Sequence, residues 1–506
     1  MLFNSPEFII FFAFFTLIYF LLPHRWRWVW ILIANIAFYM SFTSYYIILL
    51  TVIVIVNYVF AIIIDNNRGR STTIQKTALA SAVIVSLGTL FLFKYFNFFA
   101  SIAASISRSL GLRYSPSVLN FILPVGISFY TLQSLAYLIE VYRGTVKAER
   151  HAGIFAVYMS FFPQILAGPI PRPQKLLHQF REEHTFNPDM AVQGLKLMMW
   201  GFFKKVVIAD RLAVLVNEVF AHPRDYTGPY LIMASVFFSI QIYCDFSGYS
   251  DIAIGLARIL GFRLMENFRR PFCAESISEL WRRWHISLSS WLRDYVYIPL
   301  GGKRVSHVRW QINLLVTFIL SGLWHGANWT FIMWGMLNGL YIVAGSWTRI
   351  PRKWLVNAIG LERVPRLHRV VKVAITFILF TLAMIFFKAG SLTDAWYILA
   401  HLHTKVLDLF VAMITGDTMI MQNITNVTKD LLTLGFDKWY YRAEMIIVLA
   451  SVAVMAFVEI AQEYIGKEGL FQLMPKPLRW VMMYLLTISV LFLGMTESAP
   501  FEYFRF

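Results

Sequence analysis

The sequence is short of charge. Of its 506 residues only 14% are Asp, Glu, Lys or Arg and 58% are hydrophobic, where a soluble globular protein carries about 25% charged residues. That deficit excludes a soluble globular class and points to a polytopic membrane protein. Cysteine is nearly missing. Cys244 and Cys273 cannot build a disulfide framework, and neither lies in a C-x-x-C or Cys/His ligand spacing, so both read as small buried hydrophobes and no metal site is expected. No G-x-S-x-G nucleophile elbow and no Ser-His-Asp order occur, which argues against an acyl-enzyme on serine. There is no repeat of fixed period and no low-complexity tract. The first apolar run, Phe8–Leu22, lacks a basic n-region and an A-x-A site, so a retained span is expected rather than a signal peptide.

The charge that is present leans one way: 45 Lys and Arg against 28 Asp and Glu, a formal +17. In a soluble protein that excess would suggest nucleic acid. Here it collects in short loops, the positive-inside signature of an inner membrane protein, so no nucleic-acid partner is expected. Apolar runs at Phe8–Leu22, Val29–Phe42, Tyr45–Ile64, Ala78–Ala100 and Val118–Val141 alternate with basic loops. His24 to Arg27, then Arg68, Arg70 and Lys76, then Arg143, Lys147 and Arg150 all fall on one side. This alternation puts those loops in the cytoplasm and the N-terminus outside it.

Beyond residue 150 the pattern becomes irregular. Ile154–Ala167 is short of the roughly 20 residues a helical span needs, and it runs into Gly168-Pro-Ile-Pro-Arg-Pro173. Leu195–Ile208 is interrupted by Lys204 and Lys205, read here as snorkelling, and Leu231–Leu260 carries Asp245 and Asp251. Such segments imply re-entrant or tilted helices, tolerated where protein or water covers the freed backbone groups. Val373–Phe387, Met445–Ile460 and Trp480–Leu493 follow. The expected fold is all-α and polytopic, with roughly eleven to thirteen membrane segments. It is one domain over 1–506: N-terminal spans to 151, a core over 152–346, and C-terminal spans over 347–506.

Two stretches carry chemistry. Ser321-Gly-Leu-Trp-His-Gly-Ala-Asn-Trp329 sets His325 between two apolar runs, as if deep within a span. An ionisable group in hydrocarbon is costly, and a functional role is its default hypothesis. Gly322 and Gly326, repeated at Gly335 and Gly339, let a neighbouring backbone approach. In the second, Ser276 to Tyr295, Ser276 and Glu279 form a capping box. Trp281, His285, Leu288 and Leu292 then fall on one face of a helix expected at the cytoplasmic interface. Each histidine alone has a plain explanation: an amphipathic ring in a stripe for His285, a hydrogen bond to broken backbone for His325. Together they can hold a small substrate from two sides.

Trp281-Arg-Arg-Trp-His285 followed by Leu323-Trp-His-Gly326 resembles the membrane-bound O-acyltransferase family. Asp245-Phe-Ser-Gly-Tyr-Ser-Asp251, Tyr297-Ile-Pro-Leu-Gly-Gly302 and Phe162-Pro-Gln-Ile-Leu-Ala-Gly-Pro169 resemble its bacterial alginate O-acetyltransferase branch. The resemblance covers most of the chain to about residue 345, with the C-terminal third alike in hydropathy only. The family's deep histidine falls on His325, and a second polar position, asparagine in many eukaryotic members, falls on His285. The resemblance implies a central tunnel, through which an acyl group passes from a cytoplasmic thioester to a hydroxyl. It also implies acetyl-CoA as the donor with no tightly bound cofactor, a polysaccharide acceptor such as alginate or an extracytoplasmic partner protein, and a bacterial inner membrane location.

An alcohol is a poor nucleophile at neutral pH, and histidine is well matched to take its proton. His325 is therefore expected to act as the base, with His285 orienting the thioester or stabilising the oxyanion. Trp284, Trp324 and Asn328 are candidates to line the cavity. Ser247 and Asp251 share a helix face, and Asp245 lies off it. For these acidic residues a place in the site and a role as polar glue, between helices or to Arg258, are both open. Arg282 joins the substrate-binding candidates, and Arg283, Lys303 and Arg304 could receive coenzyme A phosphates, or simply be topology signals near anionic lipid. Asn423 and Asn426 fit glycosylation sequons that are frequent by chance. Two alternatives stay open: D-alanyl transfer toward teichoic acid from an acyl carrier protein, and a polysaccharide export component, which broken helices with midplane polar groups would also suit.

Overall fold

The computed structural model describes residues 1–112, 118–406, 439–466, 474–495 and 501–502. Among them there is no strand. Six helices are long and apolar enough to cross a membrane: Tyr46–Asn66, Thr72–Ser109, Gly228–Ile259, Pro365–Lys388, Ala443–Ile465 and Lys476–Leu493. Pro6–Leu21 is apolar but shorter, capped by the Ser5 side chain on the Phe8 N–H with Pro6 in the first turn. The chain is a multi-pass, all-α membrane protein. The sequons at Asn423 and Asn426 lie outside the described residues.

Gly228–Ile259 is the axis of the core. Its 32 residues extend about 48 Å at 1.5 Å per residue, and most of them are buried, as expected of a helix with no wholly polar face. It packs along Pro188–Phe202 through two glycine pairs. A Cβ on Gly201 would lie 2.7 Å from the Gly248 carbonyl oxygen, and one on Gly194 would lie 2.7 Å from that of Gly255. Backbones this close allow no side chain between them. Ile127–Arg143, buried along nearly its whole length, and Ala152–Ser160 close the core from the N-terminal side.

Three expectations need correction. The run Val118–Val141 becomes helical only at Ile127, because Pro124 restricts the residue before it and Gly126 turns left-handed at φ +79°. The run Ile154–Ala167, read as too short to span, does end its helix at Ser160 and continues as a buried turn. Lys204 and Lys205 do not snorkel: both are buried, in a π-helical turn over Phe203–Ala209. The expected interfacial helix over 276–295 is broken. It runs Ile277–Arg283, kinks through Trp284 and His285, and resumes as Ile286–Leu292.

Candidate functional site

His325 does not lie inside a continuous span. It is the last residue of the helix His307–His325, and the chain turns back through Gly326–Asn328 into Trp329–Trp347. The arms of this hairpin can approach because Gly322 faces the backbone at Phe331, and Gly335 that at Phe318. The Asn328 side chain caps the returning arm, accepting the Thr330 N–H at 3.1 Å. The His325 ring is buried against Trp324, Trp334 and Phe387, with centroids 4.9, 5.0 and 5.1 Å away. A helix end leaves its last carbonyls without donors, and here the N-terminal half supplies them. Tyr95 Oη donates to the Leu323 carbonyl at 2.9 Å, while Lys94 Nζ donates to those of Trp324 at 2.6 Å and His325 at 3.1 Å.

His285 sits at the kink, with φ 42° and ψ 53°. For a residue with a Cβ that left-handed conformation costs about 1–2 kcal/mol, so the surroundings must enforce it. Asn267, fully buried, does so: its carbonyl accepts the Ile286 N–H at 2.8 Å, and its Oδ1 accepts Ser287 Oγ at 2.9 Å and the Ser287 N–H at 3.2 Å. The His285 ring caps the new helix, Nδ1 accepting the Leu288 N–H at 3.2 Å. An Nδ1 that accepts carries no proton, so the neutral ring holds its proton on Nε2, which is a donor. The predicted Trp281–His285–Leu288–Leu292 stripe does not exist as one helix face, because the kink reorients everything after Trp284.

The two histidines, forty positions apart in the chain (325 − 285), share a wall. The Trp324 ring stands 6.0 Å from His285 and 4.9 Å from His325 between centroids, nearly perpendicular to both. Phe246 lies 4.6 Å from His285 on another side. Trp284 packs on Phe268 and Phe380 at 5.1 and 5.0 Å. The surroundings of the two histidines are therefore mostly aromatic.

The remaining candidates are placed elsewhere. Asp245 accepts Lys205 Nζ at 2.6 Å and the Glu502 N–H at 2.9 Å, while Lys205 also pairs with Asp210 at 2.9 Å. Ser247 and Asp251 both receive Lys204 Nζ, at 2.8 and 2.7 Å. Asp245 and Ser247 thus belong to a layer of ion pairs and hydrogen bonds, and the partners of the acidic residues are these lysines rather than Arg258. Residues 501 and 502 complete that layer. Phe501 lies under Lys205 at 4.3 Å, and the Glu502 carboxylate takes Lys388 at 2.5 Å. Arg283 is held by Glu279 at 2.6 Å and Glu463 at 2.9 Å, while Arg282, Lys303 and Arg304 are exposed. Of two surface cavities of about 240 and 770 Å³, the first has a basic wall that includes Arg25, Arg27 and Arg181, while in the second Lys175 and Arg263 are balanced by Glu182 and Glu183. Neither is lined by His285 or His325.

Sequence reasoning missed Lys94, Tyr95 and Asn267. Lys94 had a signal, a cation in the middle of the apolar run Ala78–Ala100. Asn267 had none, since nothing local marks an asparagine that pins a kink twenty residues on.

The described helices thus bury two histidines among aromatic rings that they partly share. Residues 151–388, which hold both histidines, match MBOAT, the membrane-bound O-acyltransferase family. The chain is 41% identical over 398 residues to the probable alginate O-acetylase AlgI of Pseudomonas aeruginosa, covering 78% of this chain and 74% of that protein. It is 36% identical over 512 residues to the probable alginate O-acetylase AlgI of Pseudomonas putida, covering the whole of both. It is 32% identical over 432 residues to the peptidoglycan O-acetyltransferase of Helicobacter pylori, covering 79% of each. The chain belongs to the membrane-bound O-acyltransferase family, and it is an O-acyltransferase.

Proposed function

We propose that this enzyme moves an acetyl group from acetyl-CoA in the cytoplasm to a hydroxyl of an extracellular polysaccharide such as alginate, directly or through an extracytoplasmic partner protein. It works in a bacterial inner membrane with its N-terminus outside the cytoplasm. His325 takes the proton of the attacking hydroxyl. The oxygen then adds to the thioester carbonyl, and His285 donates its Nε2–H to the resulting oxyanion. Collapse breaks the carbon–sulfur bond, and the proton held on His325 passes to the leaving thiolate, giving ester and free thiol.

One observation carries this reading: the two rings meet across Trp324 with His285 fixed in the tautomer that donates. The names of the relatives support acetyl over other acyl groups and a polysaccharide over other acceptors. The exposed Arg282, Lys303 and Arg304 remain available to coenzyme A phosphates, whereas Arg283 is already engaged by two glutamates.

The test uses the full chain in lipid nanodiscs with radiolabelled acetyl-CoA and an alginate oligomer, alone and with extracytoplasmic extract. Label should enter the oligomer with the native protein and not with His325→Ala. Transfer at the native rate by that variant overturns the role of His325. Labelling from a D-alanyl carrier protein instead of acetyl-CoA would identify the other donor. Polymer export lost from cells of the His325→Ala strain, with acetylation intact, would make the chain an export component.

A further inference from the structure

We infer that Lys94 is a positioning residue of the acyl-transfer site, fixing the end of the helix that carries His325 and the tryptophan shared by both histidines. The inference rests on the assignment of His325 made above.

The three carbonyls at the end of the His307–His325 helix, those of Leu323, Trp324 and His325, cannot find donors in a chain that turns back at Gly326. The Gly326 N–H reaches only the Gly322 carbonyl, at 3.3 Å. A buried carbonyl left unmet is unfavourable, so a helix end in that state is free to shift. Two consecutive residues of another helix meet all three. Tyr95 takes Leu323, and Lys94 takes Trp324 and His325.

They can do so because the long helix Thr72–Ser109 opens into a π-helical turn over Phe91–Tyr95. Single π-turns of this kind mark functional sites more often than chance. The same Nζ donates to Ser128 Oγ at 3.2 Å, and the Ser128 carbonyl accepts the Trp324 indole N–H at 3.4 Å. Lys94, Ser128 and Trp324 therefore close a ring of hydrogen bonds around the indole that touches both histidines. Its backbone is tied to the amine directly and its ring through Ser128.

The geometry also says what Lys94 is not. The two carbonyls and the Ser128 hydroxyl fill all three hydrogen-bonding positions of the Lys94 nitrogen, whether it is charged or neutral. None is left for a thioester or a sugar. Lys94 acts through His325 and Trp324 rather than on the reactants.

The experiment compares Lys94→Met, which keeps the length but not the donors, with Lys94→Arg and Tyr95→Phe in full-length protein in nanodiscs, using acetyl-CoA and an alginate oligomer, with His325→Ala as the reference. Melting temperature and donor KM report a merely structural role. Lys94→Met should lower kcat about 100-fold, the loss expected when a reacting group shifts by about 1 Å, with donor KM within twofold and melting within a few degrees of native. Lys94→Arg should regain part of kcat, and Tyr95→Phe, one hydrogen bond short, should lose about tenfold, the equivalent of roughly 1.4 kcal/mol. Native kcat in Lys94→Met beside a dead His325→Ala overturns the inference and leaves the proposed function standing. An active His325→Ala overturns the function itself. Should Lys94→Met fail to accumulate, Lys94→Gln and Tyr95→Phe decide, and native kcat in both overturns the inference.

Discussion

The two histidines are seated by opposite means. His285 is held locally: the backbone kinks at the residue itself, and Asn267, within twenty positions, locks the kink. His325 is held from afar, by an amine 231 positions away that caps the end of its helix. The local seat spends backbone strain to fix a tautomer, leaving a ring whose one nitrogen is already occupied as an acceptor. The distant seat leaves the His325 backbone unstrained and ties it to a separate helix. A donor that must present one fixed proton suits the first arrangement. A base that takes up a proton and releases it suits the second, where the ring is gripped through its own backbone.

The largest effect should come from His325→Ala, a loss of about 10³-fold or more in kcat if it is the base, read as acetyl transfer per enzyme in nanodiscs. His285→Ala should follow at about 10²-fold, the worth of an oxyanion donor. His285→Asn sharpens the comparison, since asparagine tolerates the left-handed conformation and can still cap the next helix. It should lower kcat while keeping the native melting temperature, whereas His285→Ala lowers both. Equal melting for the two variants would show that the kink does not depend on its own side chain. Asn267→Ala should destabilise the protein by about 1–3 kcal/mol, because the buried Ser287 N–H and hydroxyl lose their acceptor, and thermal unfolding in detergent measures it. Glu463→Gln should cost about 1.5–3 kcal/mol through its charge-assisted bonds to Arg283 and Arg270, with donor KM unchanged. Lys303→Ala and Arg304→Ala should do the reverse, raising acetyl-CoA KM by about fivefold at most, because an exposed charge contact is worth about 1 kcal/mol or less.

Much of this was legible in the residues. Low charge and loop asymmetry identify a membrane protein, and the cost of an imidazole in an apolar run singles out His325. The broken helix at His285 was not legible, because the spacing from Trp281 to Leu292 satisfies a helical period that the chain does not follow. Tertiary hydrogen bonds from Asn267 outweigh that local preference. Hydropathy ranks segments but does not say which of them meet. Asp245 and Asp251 therefore read as candidate site residues or glue to Arg258, and only the glycine-paired approach of Pro188–Phe202 to Gly228–Ile259 brings Lys204 and Lys205 to them. The same blindness hid Lys94, visible as a misplaced cation but meaningless without the helix end it meets.

Residue 502 lends its backbone N–H to Asp245 across 257 positions and its carboxylate to Lys388. The neighbours of those two partners, Phe246 and Phe387, press on His285 and His325 respectively. During synthesis at the ribosome, both of these aromatic neighbours are therefore made well before the residue that links their supports. Until that residue arrives the nascent chain holds both histidines without the hydrogen bond and the ion pair that join Asp245 to Lys388.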